Sequence, residues 1–285
     1  MAGAAAQAQV REDSGWQARL RLGFERRGAR SVCHERRHFG PLRVQRPFYP
    51  EGEEVCHVYV LHPPGGVVGG DELDTEVEVN GAAAALLTTP AAGKFYRSDG
   101  RLARQRQTLR VAAGASLEWL PQETIVFDGA GAAMATRVDL RGDARFTGWE
   151  ILCLGRPGAG EGFALGTVSQ AWEIRRDGTP LFMERAVYDR DGMALDAAWG
   201  LAGQPVCGSL VCVGDYAESI DEISAVTAAL QPEGLFSVTQ LAEVLMCRYL
   251  GPHSEEARRC FACTWEILRP LALQRPACAP RIWAT

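Results

Sequence analysis

Short runs of alternating apolar and polar positions, broken by Gly, Asp and Asn, fill the first two thirds of the chain, the punctuation of an all-β protein. Residues 55–61 alternate and are rich in Val and Tyr. Three later segments share one plan. Residues 77–79, 109–111 and 138–140 read as strands, and glycine turns follow at Asn80-Gly81, Ala113-Gly114 and Arg141-Gly142. Second strands then occupy residues 82–87, 116–120 and 144–153. The recurrence of roughly 30 residues predicts stacked sheets or an irregular β-solenoid. Asp177-Gly178 joins two further runs, 170–174 and 180–187, as a hairpin.

The last third changes period. Residues 220–230 have helical spacing and stop at Gln231-Pro232. Ser237 and Gln240 match a capping box, with Phe236 and Leu241 as its staple, so a helix is expected from Ser237. A final helix is expected from Ser254, where Glu255 and Glu256 suit the positive end of its dipole, ending before Pro270. Ala257, Phe261, Trp265 and Leu268 share one face of it. Ile282 and Trp283 give the tail a reason to pack back on the body. The expected fold is mainly β: irregular solenoid-like stacked sheets with two or three helices in the C-terminal third. No linker divides it, so residues 1–285 read as a single domain.

Composition narrows the function classes. A chain of 285 residues with 47% hydrophobic content buries about three quarters of its unfolded surface and needs no disulfide or metal for its core. The net charge of −5 argues against general nucleic-acid binding, which uses a basic patch. No apolar run is long enough to span a bilayer, so no membrane role is expected. Residues 1–10 are alanine-rich without a basic segment before an apolar one, so no signal peptide is read and a cytoplasmic location is expected. The nine cysteines then read as thiols, most of them small core residues.

Local catalytic motifs fail. Ala91-Ala92-Gly93-Lys94 resembles a phosphate loop, but Thr88 stands where its first glycine belongs and Phe95 where its hydroxyl belongs. Gly158-Ala159-Gly160-Glu161-Gly162 misses its last glycine at Phe163. Cys260-Phe261-Ala262-Cys263 falls inside the last helix, where core packing is the plainer reading. Cys33-His34 with His38, and Cys56-His57 with His62, offer borderline-soft donors, but Cys56 and His57 point to opposite faces of one strand. Nothing here predicts an enzyme. The alternatives are a β-solenoid glycoside-type hydrolase with paired carboxylates, and a redox or zinc protein built on the C-x-x-C.

Three carboxylates stand out. Glu150 lies in Trp149-Glu150-Ile151-Leu152-Cys153-Leu154 and Glu184 in Leu181-Phe182-Met183-Glu184. Buried and unpaired, each would cost several kcal/mol. Each therefore finds an arginine, with Arg185 adjacent to Glu184, or lines a wet cavity. Asp71 closes the turn Gly65-Gly66-Val67-Val68-Gly69-Gly70. Oxygen donors of this kind suit a path for a divalent cation.

Six collinear stretches resemble the urease accessory protein UreD (UreH) family. They are Gly40-Pro41-Leu42-Arg43-Val44-Gln45-Arg46-Pro47-Phe48-Tyr49-Pro50-Glu51, Leu61-His62-Pro63-Pro64 running to Asp71, and Thr88-Thr89-Pro90 running to Ser98. Leu117-Glu118-Trp119-Leu120-Pro121-Gln122-Glu123, Leu152-Cys153-Leu154-Gly155-Arg156-Pro157 and Pro280-Arg281-Ile282-Trp283 complete the set. The resemblance runs from about Trp16 to the end. It implies a non-catalytic urease maturation factor that binds the helical protein UreF, which recruits the GTPase UreG. The assembly docks on apo-urease and helps insert nickel, through an internal tunnel. No tightly bound cofactor is implied, only transient Ni2+. Asp71, Glu150 and Glu184 are the expected transient nickel contacts. Arg248, Tyr249 and Trp265, placed on the C-terminal helices, are the expected partner-binding residues.

Overall fold

A computed structural model describes residues 15–284, so the reading of residues 1–10 falls outside the described residues. The first strands are β1 (Gln17–Arg27), β2 (Arg30–Phe39), β3 (Arg43–Val44), β4 (Val55–Leu61), β5 (Glu72–Val79), β6 (Ala84–Thr88) and β7 (Gly93–Phe95). Then come β8 (Ala103–Val111), β9 (Ser116–Trp119), β10 (Thr124–Val126), β11 (Gly131–Leu140) and β12 (Arg145–Leu154). The remainder is β13 (Thr167–Arg176), β14 (Thr179–Asp189), β15 (Val206–Val213), α1 (Ile220–Ala229), β16 (Leu235–Leu241), β17 (Val244–Gly251) and α2 (Ser254–Leu273).

The loose repeat is the architecture. The pairs β5–β6, β8–β9 and β11–β12 are successive coils, each crossing from one sheet to the other through its glycine turn. Stacking puts β5, β8, β11 and β13 in parallel register in the first sheet, ordered β14-β13-β11-β8-β5-β1-β2. The second sheet runs β16-β17-β15-β12-β9-β6-β4-β3. Gly81, Gly114 and Gly142 all have positive φ, of 58°, 73° and 49°, a conformation that glycine adopts without steric cost. Val79, Val111 and Leu140 are in register across three coils, and all are buried. The Asp177-Gly178 hairpin joins β13 to β14 as expected, with both turn residues at positive φ.

One expected helix is a hairpin. β16 pairs antiparallel with β17 from Leu235↔Leu250 to Leu241↔Val244. The alternation of Phe236, Val238 and Gln240 against Leu235, Ser237, Thr239 and Leu241 is a strand period, and it outweighs the short capping pattern. Gln240 does not cap a helix. Its Oε1 accepts from the Tyr216 amide at 3.1 Å, and its Nε2 donates to the carbonyls of Gly214 and Ala242. The turn holds Ala242 at φ 47°. Left-handed backbone costs a non-glycine residue roughly 1–2 kcal/mol. Ala242→Gly is expected to raise stability by about 0.5–1 kcal/mol, allowing for glycine's larger unfolded-state entropy, measured by urea unfolding.

α2 also departs from expectation, continuing through Pro270 to Leu273. Tertiary contacts hold it. Its buried Ala257, Phe261, Trp265 and Leu268 lie on the outer face of the second sheet, against Trp149, Ile151, Leu210 and Cys247. Trp283 of the tail packs back as expected, 5.4 Å from the Trp149 ring and 5.6 Å from Trp265. Next to Pro270, the fully buried Arg269 fixes the helix to the sheet. Its Nε donates to Glu118 Oε1 at 3.0 Å and its Nη2 to Glu51 Oε1 at 2.6 Å. Nη1 reaches Glu51 Oε2 at 2.8 Å and the Pro276 carbonyl. Every guanidinium nitrogen is thereby engaged. Trp265 Nε1 donates to Glu118 Oε1 at 2.6 Å, and buried His57 meets Glu51 Oε1 at 2.6 Å. Burial works against the Arg269 charge, but Glu51 and Glu118 outweigh it and hold the guanidinium firmly protonated.

Candidate functional site

Side chains alternate along each strand, so one parity of every coil faces the space between the sheets. Apolar residues fill most of those positions. A band of polar residues interrupts them. Thr75, Gln107 and Thr136 are in register on β5, β8 and β11. Gln105, Met134 and Gln170 form the next row on β8, β11 and β13. From the second sheet, Glu150 enters the same space on β12 between inward-facing Phe146 and Leu152. Sequence reasoning singled out Glu150 but missed the glutamines and threonines. Their signal was polar identity at the apolar parity of an alternating strand.

Two cavities flank this band and share Glu150 and Gln170 in their walls. The first, about 220 Å³, extends past Gln107 and Trp119 to His62 and Lys94, the one lysine of the chain. The second, about 620 Å³, extends past Glu184 and Arg248 to Trp199. Trp119 lines the first cavity, and its indole N–H is buried without a hydrogen-bond acceptor. Polar side chains set in a mainly apolar wall, with an unused donor among them, are what a water-holding cavity presents.

Glu150 sits at the junction. Gln170 Nε2 donates to its Oε2 at 2.6 Å, and Thr136 Oγ1 makes a short contact with its Oε1. The same Thr136 hydroxyl donates to Gln107 Oε1 at 2.8 Å. A hydroxyl has one proton to give, so either a proton on Glu150 or a Gln107 amide turned to donate satisfies both contacts. Burial favours the first. It pushes the Glu150 carboxyl up, the Thr136 and Gln170 contacts only partly oppose it, and the Glu184 charge adds to it. A carboxyl whose folded-state value is raised costs stability as pH rises above its unfolded value of 4.5. Glu150→Gln is therefore expected to melt above wild type at pH 7.5. The difference should close as the buffer approaches pH 4.5, where the unfolded carboxyl also keeps its proton.

The other two expected nickel contacts differ. Glu184 on β14 has an arginine, but it is Arg248 of β17, not the adjacent Arg185. Arg248 also donates to Ser209 at 3.1 Å. Asp71 is buried, with Oδ1 accepting from the Trp16 amide at 2.7 Å and Oδ2 from the Val68 amide at 2.9 Å. It lines neither cavity. Its charge does reach His62, whose imidazole burial holds below its ordinary value while Asp71 pulls it back up.

The expected partner residues require correction. Arg248 and Tyr249 lie on β17, not on a helix, because residues 235–251 form the hairpin. Tyr249 is 2% exposed, and Trp265, which is on α2, is fully buried against the second sheet. The apolar stripe of α2 is core, and none of it is left for a partner at Trp265. Exposed apolar side chains gather instead on β14 and the following loop, at Met183, Val187, Met193 and Trp199. Val187 and Trp199 also line the second cavity.

The C-x-x-C is inside α2 as expected. Cys260 is buried, and burial pushes its thiol up to about 11, which leaves it protonated and inert at neutral pH. Ala91 to Lys94 leads into β7 and forms part of the first cavity's wall. Among the described residues no helix is long and apolar enough to cross a membrane.

Comparison with known proteins finds relatives over nearly the whole chain. A model of the UreD urease accessory protein family matches residues 17–284. Urease accessory protein UreD of Dechloromonas aromatica (strain RCB) is 49% identical over 282 residues, covering 97% of each chain. Urease accessory protein UreD of Azoarcus sp. (strain BH72) is 48% identical over 273 residues, covering 95% of each. Urease accessory protein UreD 2 of Brucella anthropi is 46% identical over 272 residues, covering 95% of this chain and 99% of that one. Over nearly its whole length, this chain belongs to the UreD urease accessory protein family.

Proposed function

We propose that this chain is a non-catalytic scaffold of urease maturation that passes Ni2+ between its two sheets toward apo-urease. The observation that carries the reading is the polar band with Glu150 at the junction of two cavities. A solenoid interior is ordinarily filled with apolar side chains, and unpaired polar groups there are costly. The band is explained if it solvates a passing ion. Nickel is the cargo. Glu150 and Glu184 offer oxygen donors that hold it weakly, since a conduit must release what it takes up. Asp71 supports the passage indirectly, through its hold on the loop beside His62.

The helical accessory protein UreF docks at the second cavity's mouth, where Val187 and Trp199 are exposed, and brings the GTPase UreG with it. An exposed apolar rim beside a cavity that holds Glu150, Glu184 and Arg248 suits a protein partner that seals it.

The test is complementation. In a cell that lacks this gene but keeps the other accessory genes and apo-urease, the wild-type chain should restore urease activity with nickel supplied. It should also co-purify with UreF. Soluble expression and capture of UreF with no restored activity would refute the nickel-passage reading. Restored activity without any complex would refute the scaffold.

A further inference from the structure

A second group of donors lies on the outside of the molecule and lines neither cavity. Glu233 follows α1 in the loop to β16, His253 precedes α2, and Glu256 is in the first turn of α2. One donor atom from each lies within 4.8 Å of the others. We propose that Glu233, His253 and Glu256 form a surface site for a borderline divalent cation of the Zn2+ or Ni2+ class.

Three features of the geometry support a site over a chance meeting of solvated side chains. His253 Nε2 lies 3.6 Å from Glu233 Oε2. That is too long for a hydrogen bond. It is close to the spacing of two donors that share an ion with bonds of roughly 2.0–2.2 Å.

Glu256 is held in place from behind. Its Oε2 accepts from Tyr249 Oη at 2.9 Å, from the Glu233 amide at 3.1 Å and from the Gly234 amide at 3.3 Å. All three bonds fall on Oε2, so Oε1 remains for a ligand. The same amide bonds draw the Glu233 loop onto α2.

The support itself is built into the fold. Tyr249 is buried, with its hydroxyl alone reaching the carboxylate. A Cβ at Gly234 or at Gly251 would stand 2.5 Å from that hydroxyl. Two glycines therefore clear the space through which a core tyrosine orients a surface ligand. Outer-shell groups of this kind fix the direction of a ligating carboxylate.

The donor set selects the metal. One imidazole and two carboxylates suit zinc or nickel, whereas Mg2+ and Ca2+ take shells of oxygen. The N-terminus of α2 repels a cation with roughly half an elementary charge. Two carboxylates outnumber it.

The full chain, stripped with a chelator, should be titrated with Zn2+ and Ni2+ against a chromophoric competitor, with Mg2+ in parallel. Wild type, His253→Ala, Glu233→Gln and Glu150→Gln are compared. The first two altered side chains are 57% and 72% exposed, so the fold should be unaffected, and melting curves check this. One equivalent of Zn2+ should bind, at least roughly tenfold more weakly in His253→Ala and in Glu233→Gln. Glu150→Gln should retain it, and Mg2+ should not compete. X-ray absorption of the zinc-loaded protein should show one imidazole with oxygen donors and no sulfur. Unchanged binding in His253→Ala and Glu233→Gln would overturn the site. So would loss of the ion in Glu150→Gln, or a sulfur shell from the cysteines.

Discussion

Replacing Thr136 and Gln170 together by leucine should leave the chain folded and abolish most of its support of urease activation. Both side chains point between the sheets, and both hold Glu150. Leucine at each position extends the apolar face that Val138, Ile174 and Val168 already present. Burial of that extra surface contributes roughly 25 cal/mol per Å². Glu150 and Gln107 lose their partners, and each buried polar group left unsatisfied costs roughly 1–3 kcal/mol, so the melting temperature should fall modestly while the chain stays folded. The passage would lose its polar lining at the point that both cavities share. Activation in the complementation assay should fall by at least roughly tenfold, the usual cost of removing groups that support a ligating carboxylate. Glu150→Ala with Glu184→Ala should fall as far, by removing the oxygen donors themselves. Full activation by both double variants, with UreF still bound, would return the band to a structural role.

The largest loss of stability should come from Arg269→Met. Methionine fills much of the space, but it leaves Glu118 and Glu51 facing each other without their cation. Breaking a buried ion pair from one side costs about 3–5 kcal/mol. In a chain of this size roughly 2–4 °C is lost per kcal/mol, so the melting temperature should fall by about 10 °C. Adding Glu118→Gln should recover part of the loss, because the penalty is the stranded charge more than the missing bonds. The pH dependence has a definite sign. Burial raises the Glu51 carboxyl, but His57 and Arg269 outweigh burial and hold it below its ordinary 4.5. Its stabilisation is therefore present above pH 4.5 and is lost as pH falls through the depressed value. The gap between wild type and Arg269→Met should narrow over that acid range. An unchanged melting temperature in Arg269→Met would mean that α2 is held by its apolar face alone.

How far the sequence carried differs from element to element. Alternation with glycine turns located the three coils, since strand period and positive-φ turns are local properties. The helix expected at Ser237 failed because S-x-x-Q is a short pattern, while Val238, Thr239 and the residues opposite them follow the strand period. α2 was expected to stop before Pro270, but contacts far along the chain carry it on to Leu273. Glu150 was conspicuous because a charge in an apolar strand needs an explanation. Gln105, Gln107, Thr136 and Gln170 were equally readable by parity, but only once the inward parity of each strand was known.

The sequence by itself therefore determined the coil plan, the mainly β class and the family, each written in local spacing or collinear motifs. Tertiary structure alone decided who meets whom. Glu118 and Arg269 are 151 residues apart, and nothing local to either names the other. Glu184 took Arg248 over its neighbour Arg185, because adjacent residues on a strand point to opposite faces. The apolar stripe of α2 reads the same from sequence whether it meets a partner protein or its own sheet. The packing of Trp149, Trp265 and Trp283 chose the sheet.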